Sequence, residues 1–247
     1  MKLPARFYLR KPDLRRASVH AFLVAVFAGC LTVINGVSMR AGGTGVDLAL
    51  VVALDCSGSV DEEEFALQMQ GLALAFRRQE TIEAIGRGEL QRIAVSVVHW
   101  SGVDGQFTAL PWTIIASAAD AESLANRIAR TPRGIQPTTT SMSSALLYAE
   151  ALLELAPHAT RRVIDVAADG PNNIGPPLDV VRWKLLGRGI TINGLAIQNE
   201  WRHLGTYMQN EVAGGVDHFV IAAKDYHAFA DAIFRKLLKE IAGPGIS

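Results

Sequence analysis

The chain has 247 residues, 24 basic and 24 acidic side chains, and a hydrophobic fraction of 49%. That composition excludes a disordered chain, a collagen and a disulfide framework, and it supplies apolar material for one sizeable core. The balanced charge is unevenly spread. Lys2, Arg6, Arg10, Lys11, Arg15 and Arg16 against Asp13 give residues 1–16 a net +5, so the rest carries −5. An acidic body lacks the basic patch that phosphate binding needs, so no nucleic-acid partner is expected.

In chain order, the first unit is residues 1–40, read as a targeting segment. From Ala17 to Met39 there is no Asp, Glu, Lys or Arg. A basic flank before an apolar run is the layout of a secretory signal. The uncharged stretch is also near the roughly 20 residues that span a bilayer. Phe27-Ala28-Gly29-Cys30 resembles a lipoprotein processing site. Cleaved signal, membrane anchor and lipid at Cys30 all stay open, and each places the body outside the cytoplasm, periplasmic or secreted. Cys56 is then left without a partner and reads as a small packed hydrophobe.

The body alternates strands and helices. Residues 46–54 form a short apolar run, read as a buried parallel strand. Asp61 and Glu64 form a capping box for a helix carrying Phe65, Met69, Leu72 and Phe76 at helical spacing. Strands follow at Arg92–Trp100 and Gln106–Trp112, and a helix at Asp120–Arg130. Thr131–Thr140 is a loop, Met142–Ala156 a helix, Arg162–Ala168 a strand and Asp169–Pro176 a turn-rich loop. Then come a helix at Leu178–Leu186, a strand at Ile190–Ile197, a helix at Glu200–Val212, a strand at Asp217–Ile221 and a helix at Asp225–Ile241. This alternation predicts an α/β fold, a doubly wound parallel sheet with helices on both faces, in a single domain over residues 45–242.

Ligands of such sheets bind beyond the carboxyl ends of the strands. The first strand ends in Asp55-Cys56-Ser57-Gly58-Ser59, a later one in Asp169-Gly170, and the loop before the Met142 helix carries Thr138-Thr139-Thr140. These are oxygen donors without a His or Cys cluster. They suit a hard cation, Mg²⁺, Mn²⁺ or Ca²⁺, rather than zinc.

Asp55-Cys56-Ser57-Gly58-Ser59 resembles the D-x-S-x-S signature of von Willebrand factor A domains and their metal-ion-dependent adhesion site. The resemblance covers roughly residues 45–242. Thr140, five residues before Ala145-Leu146, fits the Thr that the family places on a later loop, although Pro137-Thr138-Thr139 replaces its usual Gly-Gly and leaves Thr139 as an alternative. Asp169 fits the family's further Asp. Arg161–Val166 with Asp169-Gly170-Pro171-Asn172-Asn173 is similar to a bacterial subset catalogued as a domain of unknown function. The resemblance implies a mostly parallel six-stranded sheet, direct metal ligation by Ser57, Ser59 and Thr140, and ligation through water by Asp55 and Asp169. It further implies a binding protein, not an enzyme, whose metal (Mg²⁺ foremost) takes an Asp or Glu carboxylate from a partner protein.

The competing class is a haloacid-dehalogenase-like, Mg-dependent phosphohydrolase, which also puts an Asp at the end of its first strand. Such enzymes need a second acid two residues on, where this chain has Ser57, and another in the late loop, where it has Asn172 and Asn173. A dinucleotide-binding protein lacks its Gly-x-Gly-x-x-Gly here. His99-Trp100 reads as core rather than rim. Trp201, His203 and Tyr207 read as helix packing or a contact patch. Asp165, inside an apolar strand, needs a backbone amine or an Arg as partner. Arg235, Lys236, Lys239 and Glu240 read as the solvated face of the last helix.

Overall fold

A computed structural model describes residues 45–243. The expected targeting segment, residues 1–40, lies outside the described residues.

The apolar run at the start of the body forms β1 (Val46–Asp55). Leu48, Leu50, Val52 and Leu54 face one apolar layer, and Ala49, Val51 and Ala53 face the other. A period of two sends alternate side chains to opposite faces, and helices cover both, so the strand reads as a continuous apolar run. Around β1 stand β2 (Ile93–Trp100), β3 (Gln106–Ile115), β4 (Ala159–Ala168), β5 (Ile190–Ile197) and β6 (Val220–Ala223). Their spatial order is β3-β2-β1-β4-β5-β6. All neighbours pair in parallel except β2 and β3. The six-stranded, mostly parallel doubly wound sheet expected from the sequence is the one that forms. Pro111 inside β3 is tolerated because β3 is an edge strand.

The Leu48 side is covered by α1 (Glu62–Arg77), α2 (Gln79–Gly86), α3 (Ala118–Arg130) and α7 (Phe229–Ala242). The Ala49 side is covered by α4 (Met142–Glu154), α5 (Leu178–Gly187) and α6 (Leu204–Tyr207). The predicted capping box starts α1: Glu64 N donates to Asp61 Oδ1 at 2.8 Å, and Asp61 N to Glu64 Oε2 at 3.0 Å. Gly71 brings α7 close, since a Cβ there would lie 2.9 Å from Phe229 Cδ1 and 3.0 Å from Ala230 Cα.

Three expectations are corrected. The helix predicted over 200–212 is α6 alone, followed by a π turn at Met208–Val212 that Ala213 N closes onto Met208 O. Lys236 and Glu240 are not solvated: they are 0% and 2% exposed. Asp165 pairs with neither an amine of the backbone nor an Arg, but with Lys236 Nζ at 2.9 Å. Two charges of α7 thus turn inward to meet a charge on β4, while Arg235 stays exposed beside Asp231, as expected.

From β1 the chain runs outward through β2 and β3, then returns to lay β4 on the other side of β1. The order therefore reverses between β1 and β4, and their carboxyl ends open the crevice where such folds bind ligands.

Candidate metal centre

Asp55 is the last residue of β1, and Asp169 follows the last residue of β4. Both are buried. After Asp55 the chain turns sharply: Ser57 N donates to Asp55 Oδ1 at 2.8 Å, and Cys56 N stays bonded to Trp100 O of β2. Gly58 is required at the closest approach. Its N–H donates to Thr138 O at 2.7 Å, and a Cβ would lie 3.0 Å from that oxygen. The turn brings Ser57 Oγ within 3.3 Å of Ser59 Oγ, and Ser59 Oγ donates to Asp169 Oδ1 at 2.9 Å. Four of the five predicted site residues are therefore gathered at the β1/β4 crevice.

The threonine loop separates three roles. Thr138 turns its hydroxyl toward the end of β2, 2.9 Å from Ser101 Oγ, and accepts from Gly102 N at 3.2 Å. Thr139 is exposed, whereas Thr140 is buried. Asn173, four residues beyond Asp169, holds Thr140 by both backbone groups: Thr140 N donates to Asn173 Oδ1 and Asn173 N to Thr140 O, each at 3.0 Å. Asn173 thus ties the Thr140 backbone to the loop that carries Asp169.

The electrostatics of the crevice are unbalanced. Asp55 Oδ2 is buried and has no hydrogen-bond partner. Burial, and then the neighbouring Asp169 charge, push the Asp55 carboxyl up to about 8. A buried carboxylate pair with serine hydroxyls beside it lacks a countercharge, and a hard divalent cation would supply one. The residues fit such an ion. Among the described residues no grouping of three or more His, Cys, Asp or Glu side chains offers another metal site.

Of four supporting residues, Tyr226 and Gln68 escaped sequence reading, and Asn172 and Asn173 were noted there without this role. Tyr226 OH donates to Asp169 Oδ2 at 3.1 Å, and burial together with the Asp169 and Asp55 charges holds its phenol protonated. Gln68 Nε2 donates to Asp55 O at 3.0 Å. Asn172 and Asn173 brace the threonine loop. No signal in the sequence marks Tyr226 or Gln68, but the Asn172-Asn173 pair was visible as part of the late loop. His99 is a core residue, as expected. Its ring meets Phe65 edge-on with centroids 5.2 Å apart, and burial, then Arg133, lowers its imidazole to about 4. Tyr207 packs inward, and its OH accepts from Asn172 N at 3.3 Å.

The sheet order and helical layers define a von Willebrand factor A fold, and solved structures share it. Proximal thread matrix protein 1 from the mussel byssus superposes with a TM-score of 0.62 at 15% identity, over 81% of this chain and 48% of that one. A further structure of that protein, with a zinc-occupied MIDAS motif, matches with a TM-score of 0.62 at 16% identity, over 80% and 48%. The von Willebrand factor type A protein from Catenulispora acidiphila matches with a TM-score of 0.57 at 18% identity, over 79% and 43%. The chain spans about half the length of the mussel protein. At these identities the likeness is one of fold. No curated protein matches the sequence. The chain belongs to the family described as "Protein of unknown function (DUF1194)", whose profile matches residues 45–245.

Proposed function

We propose that residues 45–242 form a metal-dependent protein-binding module rather than an enzyme. The observation that carries this reading is the orphaned, buried Asp55 Oδ2 beside Asp169, with the hydroxyls of Ser57 and Ser59 linked into the same cluster. Ser57, Ser59 and Thr140 would hold a divalent cation through their hydroxyls, with Asp55 and Asp169 acting through bound water. Magnesium is the first candidate, with manganese and calcium as alternatives; zinc occupies the corresponding motif of the mussel protein. When bound, the ion supplies one electrophilic position suited to an Asp or Glu carboxylate from a partner protein.

The chain's own residues support binding over phosphoryl transfer. Ser57 stands two residues after Asp55 where a phosphohydrolase needs its general acid, and Asn172 and Asn173 stand in the late loop where it needs another acid. The module works outside the cytoplasm, delivered by residues 1–40 as signal or anchor. No described helix is long and apolar enough to cross a membrane. The test is a pull-down from envelope extract with intact protein, with Asp55→Ala and with EDTA. Capture lost under both treatments supports the reading. Capture unchanged under both overturns it.

A further inference from the structure

We infer that Asn173, braced by Asn172, is a positioning residue that sets Thr140 for the metal centre. The inference rests on the metal-binding reading and goes beyond it, because it assigns residues outside the ligand set.

Helix α4 begins directly after Thr140 and Ser141, so its first turn decides where Thr140 stands. A Ser at the N-cap usually accepts from the first free N–H groups. Ser141 makes no such bond; its hydroxyl donates to Ser144 Oγ at 2.8 Å instead. The cap comes from the loop after β4: Ser143 N donates to Asn172 Oδ1 at 3.0 Å. One residue on, the side chain and backbone of Asn173 close a two-bond ring on the Thr140 backbone. Asn172 N is anchored in turn on Tyr207 OH of α6.

The loop can press this closely only because residue 175 is glycine. Gly175 has φ +103°, and a Cβ there would lie 2.3 Å from Ser141 Oγ and 2.8 Å from Ser143 Oγ. The segment that carries Asp169 is thus fitted against the segment that carries Thr140. Their spacing is fixed by hydrogen bonds before any ion arrives. The choice of amides matters. Each supplies a carbonyl acceptor to an N–H near the positive end of α4 without adding a third carboxylate beside Asp55 and Asp169. Groups that orient metal ligands in this way typically change metal affinity about 10–100-fold when lost.

The experiment is Mn²⁺ titration by calorimetry on the full chain, with melting curves in EDTA to confirm folding at the titration temperature. Ser57→Ala serves as the ligand-loss control. Asn173→Ala is expected to weaken Mn²⁺ binding about 10-fold or more. Asn173→Ser makes the same comparison should Asn173→Ala fail to fold. A role in folding alone would lower the melting temperature and leave the Mn²⁺ affinity of the folded variant intact. If intact protein binds, Ser57→Ala does not, and the folded Asn173 variants bind like intact protein, the positioning role is overturned while the metal centre stands. If intact protein and Ser57→Ala are equally silent, the metal reading itself fails and the positioning role falls with it.

Discussion

Ser59 Oγ and Asp169 Oδ1 are 2.9 Å apart, although 110 positions separate the two residues in the chain. The contact exists because β1 and β4 are parallel neighbours whose carboxyl ends meet where the strand order reverses. Ser59 satisfies one oxygen of Asp169, and Tyr226 the other. Asp55 is left with an orphaned oxygen facing a like charge.

That imbalance makes Asp55→Asn act in two directions. In EDTA above about pH 8, where the Asp55 carboxyl is charged, the amide removes the repulsion with Asp169 while keeping the oxygen that accepts from Ser57 N. The metal-free variant is therefore expected to melt several degrees above intact protein. With millimolar Mg²⁺ or Mn²⁺ the order reverses: intact protein gains stability by binding, and the variant does not. Differential scanning calorimetry with and without metal checks both signs. Equal metal shifts in the two proteins would show that Asp55 takes no part.

Tyr226→Phe removes the donor to Asp169 Oδ2 and leaves that oxygen buried. Hydrogen bonds to charged groups contribute about 1.5–3 kcal/mol. Urea unfolding in EDTA is expected to show a loss in that range with an unchanged m-value. A loss below about 0.5 kcal/mol would mean that Asp169 finds another donor.

Gly175 and Gly170 lie in the same loop and separate strain from mere location. Gly175→Ala forces a methyl group onto Ser141 and Ser143 at a positive φ, a strain of about 1–3 kcal/mol or more. At Gly170 an added Cβ meets nothing within 4 Å, so Gly170→Ala is expected to stay within about 0.5 kcal/mol of intact protein. Thermal melts of the pair check the contrast.

Much of this architecture was legible in the chain. The apolar run of β1 and its Asp55-x-Ser57-x-Ser59 ending carry both the strand and the site, because a strand buried on both faces must be continuously apolar and a turn beside a ligand needs glycine. Polar sequence hid α2, whose few apolar positions, Ile82 and Ile85, give too short a stripe to read. The Glu200–Val212 segment has helical periodicity, yet only its middle coils as an α-helix before the π turn. Lys236 and Glu240 were misread because an i, i+4 charge pair resembles a surface pair. The signal was nevertheless present: both continue the buried stripe Phe229, Ala232, Ile233 and Leu237, and Asp165 stands unpaired in an apolar strand. Tyr226 and Gln68 left no trace, since their contacts depend on how α7 and α1 dock.

The buried charges between β4 and α7 give the fold a pH dependence. Lys236 Nζ lies against Asp165 Oδ1 and Glu240 Oε1, Asn193 Nδ2 of β5 donates to Glu240 Oε1 at 3.0 Å, and Arg161 of β4 holds the carbonyls of Glu240 and Ile241. Two carboxylates thus share one ammonium. Burial, and then Glu240, raise Asp165 to about 7, while Lys236 pulls the other way. In the unfolded chain an Asp titrates near about 3.9. Between those values only the folded state keeps the proton, so stability falls as pH rises through the window. The contribution is whole below about 4 and gone above the folded value of about 7. Asp55 adds a slope of the same sign in metal-free protein, so the comparison is intact protein against Asp165→Asn. The variant is expected to lose less stability between pH 5 and 8, and at pH 8 to match or exceed intact protein. Lys236→Met, which strands both carboxylates, is expected to cost about 3–5 kcal/mol. Urea unfolding at pH 5 and 8 measures all three, and parallel slopes for intact protein and Asp165→Asn would place the proton elsewhere.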